Sequence, residues 1–193
     1  MRTNLRIKAN RAKNFRCKDF IIVLENPKNF QNIGSVLRNI DALGAEKLYV
    51  IDGYNILPDN WQKMRDRSKL NDISASAIKW VFVKKFKNFE DCKGHLDKKK
   101  FISASTSPHQ QNKPNVNVNE GVYTMPRLAV WFGNEAKGLS EQALNYAEFN
   151  ITIPMCGIIE SLNLGTTTGI VIHEIASRRR EFSKMMNFLK KQK

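Results

Sequence analysis

The sequence predicts an α/β fold, a mostly parallel sheet flanked by helices, from three observations. Short runs rich in β-branched and aromatic residues recur along the chain, such as FIIVLE (20–25), KLYVI (47–51) and LAVWF (128–132). Segments with apolar residues at helical spacing separate them, the alternation expected of parallel strands joined by crossover helices. Neither an internal repeat nor a break in composition divides the 193 residues. A single domain with basic extensions at 1–18 and 178–193 is therefore expected.

The elements follow in order. FIIVLE is a strand, and apolar residues at helical spacing over 33–43 predict a helix that stops at Gly44, a natural C-cap. KLYVI is the second strand, and 80–83 reads as another. A helix over 89–98, a strand over 101–104 and a polar loop with two prolines over 107–125 come next. Then follow the strand 128–132, a helix over 140–147, a strand over 151–153 and a helix from about 162 into the tail.

Charge points to a partner. The chain has 32 Lys+Arg against 18 Asp+Glu, a formal net charge of +14, which favours a polyanion, nucleic acid first. Seven basic residues and no acid lie in 1–18, and seven against one acid in 178–193. These ends read as phosphate-contacting arms or helices, with a solvated helix face as the plain alternative. The longest apolar runs fall far short of the roughly 18 residues a membrane span needs, and the first residues lack the apolar core of a secretory signal. Cys17, Cys92 and Cys156 show no metal spacing and read as reduced thiols of a cytoplasmic protein. His95, His109 and His173 are scattered, so no metal is expected. Trp131 reads as core, and Trp61 and Trp80 as packing residues that are also able to stack on bases.

Three segments place unusual residues where strands end, the position of ligands in parallel sheets. In NPKNFQNIGSVLRNIDALG (26–44), Asn32 and Gly34 stand at a helix start with Arg38 inside it. Alone, this reads as an Asn N-cap and a surface Arg, and no dinucleotide fingerprint is present. In LAVWFGNEAKGLS (128–140), Gly133 either lets a ligand approach the backbone or permits a positive φ. In IPMCGIIESLNLGTTTGIVIHEI (153–175), polar and small residues interrupt what would otherwise be a strand-to-helix join.

Taken together and in order, these segments resemble the three motifs of the SpoU (TrmH-type) group of RNA ribose 2′-O-methyltransferases, in the SPOUT superfamily. The resemblance runs from about Val23 to Glu174. It implies a single SpoU methyltransferase domain, S-adenosyl-L-methionine as methyl donor, a C-terminal deep trefoil knot and a working homodimer. It implies cofactor contacts at Gly133, Ile153, Met155, Gly157 and Leu162, with Thr106 a further candidate, and reacting groups at Asn32, Arg38, Glu135, Ser161 and Asn163. A Thr-rich helix start replaces the family's commoner Ser/Ala-rich one. Because a guanidinium stays charged below a pKa of about 12, Arg38 reads as a clamp on phosphate and developing alkoxide. A phosphate oxygen or water then takes the proton. Structured RNA is the implied substrate: tRNA, at a D-loop guanosine, ahead of ribosomal RNA, because the family's ribosomal members often carry an additional N-terminal domain. A non-catalytic RNA-binding protein of the same fold is the alternative from another class.

Overall fold

In the computed structural model, which describes residues 2–66, 68–108 and 113–192, the two most apolar runs lie side by side. Strand β1 (Phe20–Glu25) pairs with β6 (Leu128–Phe132) in parallel register, Phe20 beside Leu128 through Leu24 beside Phe132. Every residue of both strands is buried, because each face of the sheet is covered by helices and neither face has to be polar.

Around this pair the sheet grows in both directions. On one side stand β2 (Lys47–Ile51) and β3 (Phe82–Phe86). On the other stand β4 (Ile102–Thr106), β7 (Phe149–Thr152) and β5 (Asn115–Asn117). The order is β3-β2-β1-β6-β4-β7-β5 with every pairing parallel. Side chains alternate between faces. Phe20, Ile22 and Leu24 join a core with α2 (Phe30–Leu43) and α7 (Leu164–Lys191), whereas Ile21, Val23 and Trp131 join one with α5 (Phe89–Lys98) and α6 (Glu141–Tyr146). Trp131 is 0% exposed and its indole donates to Ser103 Oγ at 3.1 Å. Further helices are α1 (Arg2–Lys13), α3 (Trp61–Asp66) and α4 (Ser68–Ile73).

Several expected boundaries shift for visible reasons. Helix α2 is capped by Asn29, whose side chain accepts from Gln31 N–H, and stops at Gly44 in the left-handed region, φ 92°. The strand expected at 80–83 begins at Phe82, because Ala75 and Ser76 turn left-handed and lead into a 3-10 turn over Ala77–Lys79 that Trp80 closes. The strand expected at 151–153 is Phe149–Thr152; Ile153 precedes a proline, which offers the ladder no N–H. The loop expected over 107–125 contains β5. This strand is held against β7 by Asn150 of β7, buried, whose amide donates to Ser107 O and Asn115 Oδ1, both at 2.8 Å. Helices α3 and α4 have no counterpart among the expected elements; Ile73 of α4 packs on Gly34, where a Cβ would sit 2.3 Å from its Cγ2.

The basic ends are helical, but the arginines of the tail are fasteners and not free arms. Arg179 donates to the carbonyls of Tyr123, Met125, Pro126 and Lys18. Arg180 reaches Leu43 O at 2.9 Å, and Arg178 pairs with Glu174 and bonds Asn119 O. The side chains of Arg2, Arg6 and Trp61, and the whole of His109, lie outside the described residues. Among the described residues no group of His, Cys, Asp and Glu could hold a metal, and no helix is long and apolar enough to cross a membrane.

On the α5 face, His95 lies between Lys84 Nζ (3.1 Å from Nδ1) and Tyr49 Oη (3.3 Å from Nε2). The ammonium only donates, so Nδ1 accepts and Nε2 carries the hydrogen. Burial, then the charges of Lys84, Lys99, Lys47 and Lys98, depress the His95 pKa. The unfolded chain protonates first, near pH 6.5, so stability is fully present above that pH and is lost as pH falls below it. We predict a melting temperature that drops from about pH 6.5 towards 5, and a visibly shallower drop in His95→Gln, followed by circular dichroism.

Candidate active site

A cleft of about 760 Å³ opens beyond the carboxyl ends of β4, β6 and β7. Thr106, Gly133, Glu135, Ile153, Met155 and Leu162 line it, as do Ser161 and Asn163. The second and third sequence segments thus line one place, beyond the strand ends where parallel-sheet geometry puts ligands, and the first reaches it through Asn32, which bonds Glu135 and Asn163.

One wall is the turn that follows β6. Asn134, buried, accepts from Ala136 N–H at 2.8 Å and Lys137 N–H at 3.3 Å, and its amide donates to Asn26 O at 2.6 Å. Asn134 and Gly138 close the turn through reciprocal backbone bonds. The far end is pinned by Glu25, the last residue of β1, which accepts from Ser140 N–H at 2.8 Å and Ser140 Oγ at 2.7 Å. Gly133 is needed for space and not for a positive φ, which in this turn belongs to Gly138. A Cβ at Gly133 would lie 2.0 Å from Gly138 C and 2.2 Å from Leu139 N. The backbone crowding Gly133 is the turn's own.

The turn carries Glu135 to the loop before α2. Asn32 donates to Glu135 Oε1 at 2.6 Å, and Lys28 N–H donates to Oε2 at 3.2 Å. Because Asn29 takes the capping role, Asn32 sits inside the first turn with its side chain turned to the site. Asn163 donates to Asn32 Oδ1 at 3.3 Å while its own Oδ1 caps α7 through Gly165 N–H at 2.7 Å. Burial opposes ionisation of Glu135, but the bonds from Asn32 and from backbone N–H groups outweigh it and hold the carboxyl below its ordinary pKa. Asn32, Glu135 and Asn163 form one polar chain across the mouth.

The second wall is the segment 153–163, which leaves β7, lines the cleft at Ile153 and Met155, and returns along it from Glu160 to α7. Gly157 lies at the exposed tip of this excursion, outside the lining, and a Cβ there would meet nothing. Ile158 and Ile159 beside it are 100% and 69% exposed. Thr106 lines the floor with its hydroxyl donated to Trp131 O at 2.8 Å. Arg38 is exposed on α2, outside the lining, and among the described residues it has no hydrogen bond or ion pair. Of the proposed site residues, all but Asn32, Arg38 and Gly157 line the cleft, and Asn32 joins it through its bonds with Glu135 and Asn163. The structure adds Asn134, Glu25, Ser140 and the Lys28 backbone, of which only the acid closing an apolar strand left a sequence signal.

Gly133→Ala must displace the turn. We predict a loss of about 1–3 kcal/mol, read as a lower melting temperature, together with loss of cofactor affinity by calorimetry. An unchanged melting temperature would contradict the crowding.

The same arrangement of motifs and strands is found in known proteins. The profile of the SpoU rRNA Methylase family matches residues 19–173. The chain is 33% identical over 167 residues, 86% of its length and 72% of the relative's, to a tRNA (guanosine(18)-2′-O)-methyltransferase of Aquifex aeolicus. It is 28% identical to an enzyme of that name from Thermus thermophilus, covering 85% of this chain and 77% of that one. The crystal structure of an A. aeolicus TrmH/SpoU tRNA modifying enzyme superposes with a TM-score of 0.74 at 28% identity, over 93% of this chain and 86% of the other. This chain belongs to the SpoU rRNA Methylase family.

Proposed function

We propose that this protein methylates ribose 2′-hydroxyls of tRNA, at a D-loop guanosine, with S-adenosylmethionine as donor. The observation that carries the reading is the polar chain Glu135–Asn32–Asn163 at the mouth of a cleft that Ile153, Met155 and Leu162 help to line. The cleft suits the donor: its volume lies within the roughly 300–1,000 Å³ of ligand sites, Ile153, Met155 and Leu162 offer apolar contact to an adenine, and Thr106 lies on its floor. On this reading the segment 153–163 belongs to a deep trefoil knot, with Gly157 at its turn. Bound there, the donor supplies an electrophilic sulfonium methyl.

The chain's own residues align the acceptor. Glu135, held as an anion by Asn32 and the 28–29 backbone, keeps the mouth rigid and receives ribose hydroxyls, with Ser161 and Asn163 beside it. Arg38 holds the neighbouring phosphate and offsets charge developing on the attacking 2′-oxygen. A phosphate oxygen or water accepts the proton.

Arg38 lies outside its own cleft, so we assign it to the cleft of a second copy. Apolar surface suited to such a homodimer is present on α7, where Ile170, Met185 and Met186 are exposed, although Ile172 and Ile175 are spent in the chain's own core. The exposed Ile158 and Ile159 flank the cleft itself.

Transfer of labelled methyl to a tRNA transcript, with the site mapped by primer extension, tests the reading. Methylation of a ribosomal RNA fragment instead would shift the substrate, and no transfer to any RNA would leave a binding protein. Arg38→Ala should keep donor affinity and lose about 10²–10³ in turnover. Leu162→Arg should lose donor binding. Mixing the two dead variants under subunit exchange should restore roughly a quarter of wild-type activity, since half the dimers are mixed and each rebuilds one site. No recovery would place Arg38 in its own chain's site.

A further inference from the structure

Far from the cleft, the first residues of β2 and β3 and the last of α5 bring lysines together on one face. Parallel register sets Lys47 beside Phe82 and Tyr49 beside Lys84. With side-chain alternation, Lys47, Tyr49, Phe82, Lys84 and Phe86 all point to the α5 side, where Tyr49 and Phe86 join that core. Lys98 and Lys99 end α5 within one turn of His95. Lys84 gives one ammonium hydrogen to His95 and lies 5.0 Å over the Phe86 ring.

Two things are unusual here. Four ammonium groups, Lys84, Lys99, Lys47 and Lys98, act on the single imidazole of His95, a concentration of like charge that an acid on the face offsets only at Lys47. The acids described there are already engaged: Glu46 accepts from Lys47 at 2.9 Å and Asp19 N–H at 2.8 Å, and Asp97 from Lys93 at 2.9 Å and Tyr146 Oη at 2.6 Å. The second is Phe82, 48% exposed amid these charges on the outermost strand. Lysines at a helix C-terminus complement its dipole, which accounts for Lys98 and Lys99 but not for Lys47, Lys84 or Phe82.

We propose that the face formed by Lys47, Phe82, Lys84, Lys98 and Lys99 is a second RNA-contact surface, where phosphates lie on the lysines and an unstacked base packs on Phe82. The inference rests on the reading of a structured RNA substrate and extends it. The face lies across three strand spacings and along the length of a strand from the cleft, about 20 Å by sheet geometry. Only an RNA that extends that far from the methylated nucleotide can touch both, so the surface selects a folded RNA over a short fragment.

The test uses the full chain, an unmodified tRNA transcript and a trinucleotide containing the same acceptor, too short to span both surfaces. Each phosphate contact contributes about 0.9 to the slope of log affinity against log salt. Lys98→Gln with Lys99→Gln should therefore flatten that slope by about 1.8 on the transcript and weaken binding at least about tenfold at about 0.1 M salt. Trinucleotide and donor affinities should stay at wild-type values. Phe82→Ala should raise the KM for the transcript several-fold and leave kcat unchanged. Unchanged slope and affinity on the transcript overturn the proposal. So does an equal loss on both RNAs, which would place the lysines at the cleft. Loss of binding to vesicles containing phosphatidylserine, with RNA binding intact, would assign the face to a membrane and overturn it too. If the wild type binds the transcript but methylates no RNA, the catalytic reading falls while the binding isotherms still decide the surface.

Discussion

The site depends on one close backbone approach, at Gly133. There the chain leaves β6 and doubles back so tightly that Gly138 and Leu139 occupy the space of a side chain. A turn this tight is held by bonds from outside itself: Asn134 reaches Asn26 O, and Glu25 grips Ser140. Both anchors belong to the end of β1, which pairs with β6 through five registered residues. The most buried strand pair in the sheet thus fixes the turn, and the turn sets Glu135 against Asn32. Polar bonds worth about 1 kcal/mol each can hold an exposed loop in one geometry here because the strands beneath cannot shift.

How much of this is legible in the sequence follows from the kind of constraint involved. Runs such as FIIVL and LAVWF announce strands buried on both faces, because only such strands dispense with polar alternation. Gly44 announces the end of α2 for a similarly local reason. Strand β5 is hidden: Asn115 and Asn117 are poor strand formers, and the segment is extended because Asn150, buried 35 residues away, receives it. Asn32 is legible only in part. Nothing local distinguishes it from Asn29 as a cap, and the choice is made by Glu135, 103 residues on. The site's first ring can be read through its resemblance to a family motif, whereas the supports under that ring are tertiary.

The chemistry inherits the same rigidity. Each Glu135 oxygen already accepts a donor, and its pKa is depressed despite partial desolvation, so it is poorly matched to taking a proton near neutrality. A preorganised anion instead orients hydroxyl donors at no cost in reorganisation at the moment of reaction. The acceptor for the proton must then arrive with the substrate or from solvent, which fits a reaction whose donor is already electrophilic.

The charge of +14 divides by chemistry rather than by position. Among the described residues several arginines are spent on the protein itself: Arg179 alone ties four carbonyls of distant segments to α7, and Arg16 pairs with Asp41 at 2.6 Å. A planar fork of five donors suits that work, since one side chain satisfies several buried carbonyls without needing an acid. Lys98, Lys99 and Lys100 by contrast are exposed, and a compact ammonium on a flexible stem keeps its hydration until a phosphate replaces it. Formal charge therefore overstates how many cations can release counterions from a nucleic acid. The steepness of salt dependence should follow the cations left free, not the total, and the basic tail, expected from sequence to be an RNA arm or a solvated helix face, is, for its three arginines, what fastens the last helix to the rest of the fold.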